Sequence, residues 1–173
     1  MTSICWWEAD ASDYEAKYEQ ASCIAVGNLD NAIEGGNKIA TGTFAGLLRI
    51  YYPHEQGYRV EDMMLETHLD SPILQLAAGH FLADSQHIAL AVLHPRSLVV
   101  FSLSAHSTSS KEAAYMKLVK AYGTVLERPA RNMVHGSFGG GYGHAQFCVQ
   151  TMDGQFIIID LVIDAAAISS TVP

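Results

Sequence analysis

The chain has 173 residues and a formal net charge of −8, from 10 Lys and Arg against 18 Asp and Glu. Apolar residues make up 49% and charged residues 16%, so the chain can bury a sizeable core as one domain or part of one. The acidic balance argues against a nucleic-acid partner, which needs a basic surface to displace counterions from phosphates. It also disfavours direct electrostatic docking on an anionic membrane.

The cysteines and the N-terminus give no sign of an extracellular protein. Cys5, Cys23 and Cys148 are odd in number and widely spaced, which predicts reduced thiols rather than a disulfide framework. The first eight residues lack the basic and apolar regions of a signal peptide. No segment approaches the ~18 consecutive apolar residues of a membrane span. We therefore expect a cytoplasmic protein.

An N-terminal segment, residues 1–21, precedes the more regular part of the sequence. Between Ala9 and Ala21, apolar residues are interleaved with charged ones, and Ser12 and Glu15 have the spacing of a capping box. This pattern predicts a short surface helix. Trp6 and Trp7 come before it. They either cap the open side of a β-sheet or anchor a partner protein, because exposed aromatic residues are enriched in interface hot spots.

The rest of the sequence repeats with a period of ~50 residues, which is typical of propeller blades. Short runs of β-branched and aromatic residues alternate with turn residues in three blocks, at 22–70, 71–123 and 131–163. Equivalent glycines stand near the ends of the three first strands, at Gly27, Gly79 and Gly136. Asp153-Gly154 is typical of a hairpin turn, because glycine tolerates a positive φ.

The blocks predict an all-β fold of about three four-stranded antiparallel blades, the third one partial. Closed propellers usually have 4–8 blades, so about three blades indicate an incomplete β-propeller. We expect the whole propeller to have seven blades. Three blades would leave two sheet faces without neighbours. A closed antiparallel sandwich or barrel is the structural alternative.

Candidate metal sites are weak. The eight histidines form neither HxH nor HExxH motifs; they are His54, His68, His80, His87, His94, His106, His135 and His144. The loop after the first strand carries Asn28, Asp30, Asn31 and Glu34, as in the calcium loops of integrin-type propellers, but without their regular acidic spacing. The glycine run at 139–143 lacks the Lys-Ser/Thr of a phosphate loop.

Catalytic chemistry is not indicated either. Ser137 does not stand in a G-x-S-x-G motif. A pocket that joined His135, Asp153 and Ser137, with shifted pKa values, would be the structural sign of an enzyme. We expect no enzymatic activity, cofactor or metal. The functional alternative that the residues leave open is a self-contained small-ligand or calcium-binding β-repeat domain.

A series of short motifs in a specific order resembles one family over nearly the whole chain. They are WW at 6–7, NLDN at 28–31, KI at 38–39, GTFAG at 42–46, LRI at 48–50, PH at 53–54, ED at 61–62, PILQ at 72–75, LAVLH at 90–94, NM at 132–133, GSFGG at 136–140 and QTMDG at 150–154. The chain resembles the N-terminal β-propeller region of the Bardet–Biedl syndrome protein 9 family, also called the parathyroid hormone-responsive B1 family.

The resemblance implies a subunit of the BBSome, a coat-like complex that links membrane-protein cargo to intraflagellar transport in cilia. It implies other BBSome subunits as partners, no nucleic acid or small-molecule substrate, and only indirect membrane association. It further implies a location in the cytoplasm, the cilium, the ciliary membrane and the basal body or centriolar region. The family offers no catalytic or cofactor residues to match. Its members continue into further domains, so we expect the chain to be a propeller fragment.

Overall fold

A computed structural model describes residues 5, 7–9, 21–82, 85–106, 115–138 and 145–160. This part of the chain contains no α-helix and one 3₁₀ turn, at Val60–Asp62. Its strands are β1 (Cys23–Gly27), β2 (Lys38–Gly42), β3 (Leu47–Tyr51), β4 (Met63–His68), β5 (Gln75–Gly79), β6 (Ala89–His94), β7 (Ser97–His106), β8 (Tyr115–Val125), β9 (Ala130–Gly136), β10 (Gln146–Thr151) and β11 (Phe156–Ile159).

Two parts of the sequence-based prediction fall on residues that the structure does not describe. The predicted N-terminal helix occupies 9–21, of which 10–20 lie outside the described residues, and Trp6 lies outside them too. The glycine run at 139–143 is likewise not described. Among the residues that are described, no helix has the length and apolar character needed to cross a membrane.

The strands form three separate antiparallel sheets, which we call blades 1 to 3. Blade 1 has the order β1-β2-β3-β4, blade 2 the order β5-β6-β7-β8, and blade 3 the order β9-β10-β11. Within each sheet, every strand pairs with the next one in sequence, so each blade is a meander. This confirms the predicted all-β fold of propeller blades, two with four strands and one with three.

Turn chemistry explains where the strands end. Gly154 has a φ of +85° in the turn between β10 and β11, and its N–H donates to the Thr151 carbonyl at 3.1 Å. Gly46 has a φ of +91° between β2 and β3, and a Cβ there would lie 2.4 Å from the Leu69 carbonyl oxygen. Only glycine fits such a position without strain. Asp153-Gly154 thus forms the turn that the sequence predicts.

Strands β7 and β8 are longer than the sequence pattern indicates. β7 continues through Ser104 to His106, although the serines there suggest that a loop begins at Ser104. β8 pairs with it over its whole length and continues to Val125. Cross-strand pairing therefore keeps extended a serine segment whose own propensity favours a turn.

The hydrophobic core consists of two layers, one between each pair of neighbouring blades. The first joins blades 1 and 2 through residues such as Ala40, Ile50 and Val92. The second joins blades 2 and 3 through residues such as Ala91 and Phe147. Blade 2 is thus covered on both faces, whereas blades 1 and 3 each contribute one face to the core.

Candidate interaction surfaces

Each blade has a forward face, which points toward the next blade in sequence, and a backward face. Strand register identifies the equivalent positions on the forward faces. Cross-strand neighbours at the centre of each are Ala25–Ala40–Ile50 in blade 1, Ala77–Ala91–Val100 in blade 2 and Val134–Cys148–Ile158 in blade 3. The first two sets pack into the two core layers. The third is the same kind of surface, and no further blade formed by the described residues packs on it.

The backward faces have equivalent sets of the same kind. Cross-strand neighbours are Val26–Ile39–Tyr51 in blade 1, Ala78–Leu90–Phe101 in blade 2 and His135–Phe147–Ile159 in blade 3. The sets of blades 2 and 3 line the two core layers, apart from His135, which packs edge-on against Phe81 with ring centroids 5.1 Å apart. No blade among the described residues packs on the set of blade 1.

The two terminal faces of this three-blade arc therefore expose apolar side chains. On the forward face of blade 3, Val134 is 61% exposed and Ile158 57%. On the backward face of blade 1, Ile24 is 62% exposed and Val26 54%. These are β-branched residues on paired strands, in positions whose counterparts in blade 2 are covered.

The repeated glycines mark where one blade approaches the next. A Cβ on Gly27 would lie 2.9 Å from the Ala78 Cβ in blade 2, which is closer than two side chains can come. A Cβ on Gly79 would meet the ring of Phe81 at 2.8 Å and His135 of blade 3 at 3.5 Å. At Gly136, Phe138 of the same blade, at 3.9 Å, is the only described residue within 4 Å of the Cβ position. The close approach to a neighbouring blade seen at Gly27 and Gly79 therefore has no counterpart at Gly136 among the described residues.

Trp7 lies against blade 1 from its backward side. Its ring meets Tyr51 and Tyr58 edge-on, with ring centroids 6.0 and 5.9 Å apart. Its Nε1–H donates to Asp62 Oδ2 at 2.9 Å. Trp7 thus covers Tyr51 on β3, whereas Ile24 and Val26 on β1 are exposed. Trp7 packs within the chain in this structure.

Asp62 is the polar centre of this attachment. Its carboxylate is 1% exposed, and besides the indole it accepts the backbone N–H of Arg59 at 3.0 Å and contacts His54 Nδ1 at 2.8 Å. The Trp7 hydrogen bond is the main reason that the pKa of Asp62 lies below its usual value, and burial opposes the effect. Because the Trp7 hydrogen bond stabilises the ionised carboxylate, the charged form of Asp62 in turn stabilises the packing of Trp7 against blade 1.

An apolar groove lies next to Trp7, on the backward face of blade 1. It has a volume of about 340 Å³ and lies between Trp7 and Ala21 on one side and Ile24 and Ile39 on the other. Thr41 and Ser22 supply a few polar atoms to its lining. A pocket of this size takes apolar side chains more readily than a charged ligand.

The acidic loop weighed as a calcium site holds a lysine of the chain itself. Lys38 is fully buried, forms an ion pair with Asp30 and donates to Asn28 Oδ1 at 2.9 Å. Its Nζ also lies 4.7 Å from the centroid of the Tyr52 ring. The ammonium group sits where a cation bound by these oxygens would be. Sequence reasoning missed this role, because buried lysines are rare and nothing in the pattern distinguishes Lys38.

Asn31 of the same loop also has a structural partner. The Asn31 side chain joins blades 1 and 2, donating to the Ile88 carbonyl at 3.0 Å and accepting the Ile88 N–H at 2.7 Å. Asn31 has a φ of +54°, a conformation that asparagine tolerates better than most residues. Glu34 is exposed. The loop therefore braces the junction between two blades.

The residues of the considered catalytic pocket do not come together. His135 pairs with Phe147 near one end of β10, whereas Asp153 lies in the turn beyond its other end. There Asp153 accepts the Thr151 hydroxyl and pairs with Arg128, and these contacts lower its pKa. Ser137 is exposed. Across the described residues, no three His, Cys, Asp or Glu side chains form a group that could hold a metal ion.

The chain is similar to proteins of one known family. The family model described as PTHB1 N-terminal matches residues 3–167. Protein PTHB1 of Homo sapiens is 36% identical over 159 residues, which cover 90% of this chain and 18% of the human protein. Protein PTHB1 of Xenopus laevis is 36% identical and that of Mus musculus 35% identical, with the same coverage.

The chain thus spans about a fifth of the length of the curated relatives that it matches. The match runs through all three blades and confirms the family indicated by the short motifs. The glycines, hairpin turns and apolar sheet faces described above are therefore features of a known domain type: the chain belongs to the PTHB1 family, in its N-terminal region.

Proposed function

We propose that the protein is a non-enzymatic scaffold of the BBSome coat complex, acting in ciliary membrane-protein trafficking and cilium assembly. The observation that carries this proposal is the family match over residues 3–167, which includes every strand of the arc. On this proposal the partners are other BBSome subunits. The protein works in the cytoplasm, at the basal body or centriolar region and in the cilium, and it meets the ciliary membrane only through the complex.

The blades supply a rigid frame for partner contacts. The turns that join the second strand of each blade to the third lie at one end of the arc, and we call this end the hairpin surface. Two of these turns expose large apolar side chains, Phe44 at 57% and Met152 at 66%. Loops on a rigid scaffold can vary in shape without disturbing the core. We assign a subunit contact to this surface.

Co-purification from ciliated cells tests the proposal. The tagged chain should recover BBSome subunits, measured by immunoblotting for each one. The double substitution Phe44→Ser and Met152→Ser should lower that recovery. Ile33→Ser is the matched control, because Ile33 is fully exposed on the β1–β2 loop at the opposite end of blade 1. Failure of the unsubstituted chain to recover any BBSome subunit would refute the proposed function.

The lysine in the acidic loop weighs against the calcium-binding alternative. Calcium requires 6–8 oxygen ligands, and two of the side chains that could supply them, Asn28 and Asp30, are bound to the Lys38 ammonium. No observation on the described residues favours this alternative over the scaffold.

A further inference from the structure

A cleft opens between blades 1 and 2 at the hairpin end of the arc. It has a volume of about 340 Å³ and lies between the β4–β5 connection, at 69–71, and strands β7 and β8 of blade 2. Val99 and Phe101, both on β7, give it partly apolar walls. Blades 1 and 2 are four-stranded sheets that pack on each other. The cleft therefore belongs to an interface within the chain.

His94, at the end of β6, is the buried polar side chain of this cleft. It is 5% exposed, and its Nδ1 lies 2.8 Å from the Pro72 carbonyl oxygen. A carbonyl oxygen only accepts hydrogen bonds, so Nδ1 carries the proton and donates it. In the neutral ring, the other nitrogen, Nε2, is then a hydrogen-bond acceptor.

This Nε2 acceptor is unused and faces the cleft. Among the described residues, none forms a hydrogen bond with it. In that part of the chain, no side-chain nitrogen or oxygen is both closed off from solvent and without a partner. Because His94 is almost fully buried and lines the cleft, Nε2 is reached through the cleft. A ligand that fills the cleft therefore gains by offering a hydrogen-bond donor, since filling it otherwise leaves a buried acceptor unpaired.

We propose that the cleft binds a tyrosine side chain of a partner protein, whose hydroxyl group donates to His94 Nε2 while its ring packs on Val99 and Phe101. Tyrosine combines an apolar ring with a hydroxyl donor at its tip. A serine would offer the hydroxyl but leave the apolar walls uncovered, and a phenylalanine would leave Nε2 unpaired. The inference rests on the proposed function, because it supplies a binding mode for a partner subunit.

The rim of the cleft offers groups for the main chain on either side of such a tyrosine. Asp70 lies on the β4–β5 connection and Lys120 on β8, and both are exposed. Neither forms an ion pair with another described residue. Asp70 can accept a peptide N–H, and Lys120 can donate to a peptide carbonyl. A rim with one group of each charge suits a polypeptide better than a free ion.

The cleft also adjoins the hairpin surface. Leu69, which lines the cleft, donates its N–H to the Gly46 carbonyl at 2.8 Å. Gly46 belongs to the turn that exposes Phe44. A subunit that covers Phe44 therefore comes within reach of the cleft, and for this reason we assign the tyrosine to a partner protein rather than to a free small molecule.

NMR titration of the full chain with N-acetyltyrosinamide tests the binding chemistry. N-acetylphenylalaninamide is the matched probe, because it lacks only the hydroxyl group. The tyrosine amide should bind saturably and about fivefold more tightly than the phenylalanine amide. Long-range proton–nitrogen spectra should show the change at His94 Nε2. Absence of saturable binding, equal affinities for the two probes, or tighter binding of N-acetyltryptophanamide would each overturn the inference, and this comparison needs no variant.

His94→Asn separates the roles of the two ring nitrogens. The introduced amide N–H can keep the bond to the Pro72 carbonyl, whereas the Nε2 acceptor is lost. The substitution should weaken binding of the tyrosine amide about fivefold or more. His80→Asn, at an exposed histidine outside the cleft, is the control and should leave binding unchanged. Circular dichroism checks that β-structure is retained, and equal affinities of the two variants would contradict the role of His94.

Co-purification from ciliated cells links the site to a partner protein. His94→Asn should lower the recovery of at least one BBSome subunit, whereas His80→Asn should not. If both variants recover every subunit as well as the unsubstituted chain does, the proposed function stands and the tyrosine site is wrong. If the unsubstituted chain binds the tyrosine amide but recovers no BBSome subunit, the proposed function is refuted and the chemistry of the cleft is upheld.

Discussion

The side chain of Gln75 on β5 binds both backbone polar groups of Met133 on β9. Its Nε2 donates to the Met133 carbonyl at 2.7 Å, and its Oε1 accepts the Met133 N–H at 2.7 Å. The Gln75 side-chain amide thus makes the same pair of hydrogen bonds with β9 that a backbone peptide group of a neighbouring strand would make. Asn31 makes the same two-way contact with Ile88, between blades 1 and 2. Apolar layers join the blades, and side-chain amides fix their alignment.

Replacing Gln75 should weaken the junction between blades 2 and 3. Gln75→Leu removes both bonds and leaves the Met133 N–H and carbonyl without these partners, at a cost of about 1–3 kcal/mol for each buried group left unsatisfied. Gln75→Glu keeps an acceptor for the Met133 N–H and should cost less. Urea denaturation followed by circular dichroism measures the free energy of unfolding. Gln86→Leu, at an exposed position, is the control, and equal stability of Gln75→Leu and this control would contradict the bridging role.

Lys38 should be the most sensitive charged position in blade 1. Lys38→Met leaves the partly buried Asp30 carboxylate without its cation, and we expect a loss of about 3 kcal/mol or more in the free energy of unfolding. Adding Asp30→Asn to Lys38→Met should recover part of that loss, because no uncompensated charge then remains. Lys117→Met, at an exposed site on β8, should change stability by less than about 0.5 kcal/mol. Strict additivity of the two single substitutions in a double-mutant cycle would show that the pair is not coupled.

Calcium should not stabilise the protein. The ammonium group of Lys38 already satisfies Asn28 and Asp30, so millimolar calcium should leave the melting temperature in differential scanning calorimetry unchanged. Magnesium is the control for general ionic effects. A ligand that binds only the folded state raises the melting temperature, so a rise specific to calcium would favour the calcium-binding alternative.

The Trp7 attachment should weaken in acid. Because the Trp7 hydrogen bond lowers the pKa of Asp62 in the folded state, the ionised carboxylate contributes stability that is complete above its unfolded value of about 3.9. That contribution falls as the pH drops through the lower, folded-state pKa. Trp7→Phe keeps an aromatic ring but removes the donor, so it should be less stable than the unsubstituted chain at neutral pH.

The quantity to measure is the difference in stability between the unsubstituted chain and the Trp7→Phe variant. Urea midpoints should differ at about pH 7 and approach each other as the pH falls below about 3.9 and on through the lower folded-state pKa of Asp62, because the carboxylate is then protonated in both states. Phe44→Tyr, which also exchanges one aromatic side chain for another but on an exposed turn, is the control. A gap between the Trp7→Phe variant and the unsubstituted chain that stays constant in acid would show that Asp62 does not hold the indole through its charge.

Much of the fold is predictable from the sequence because its signals are local. The β-branched runs give the strands, and Asp153-Gly154 gives a turn that requires a positive φ at Gly154. The spacing of Gly27, Gly79 and Gly136 indicates the repeat, and the structure adds the reason for the first two, which is close approach of the next blade. Strand β7 continues past Ser104, where its sequence favours a turn, because its pairing with β8 overrides the turn preference of its serines.

The partners of buried polar groups are not predictable in the same way, because they lie far apart in sequence. Gln75 and Met133 are 58 residues apart, and Trp7 and Asp62 are 55 apart. No local pattern indicates that Trp7 donates to a buried carboxylate. The same holds for Lys38, whose position at the start of β2 looks like that of any lysine on a strand end. These contacts depend on how the blades pack, which only the structure reveals.

If the proposed function holds, PTHB1 proteins are BBSome subunits, and binding of this chain to a purified BBSome without that subunit tests the proposal most directly. The fluorescently labelled chain should bind this complex saturably in anisotropy measurements, and unlabelled Protein PTHB1 should compete with it. Phe44→Ser with Met152→Ser should weaken the binding about tenfold or more if those side chains anchor the contact, whereas Ile33→Ser should not. Absence of saturable binding by a folded, unsubstituted chain would contradict the proposal that this protein acts through contacts with BBSome subunits.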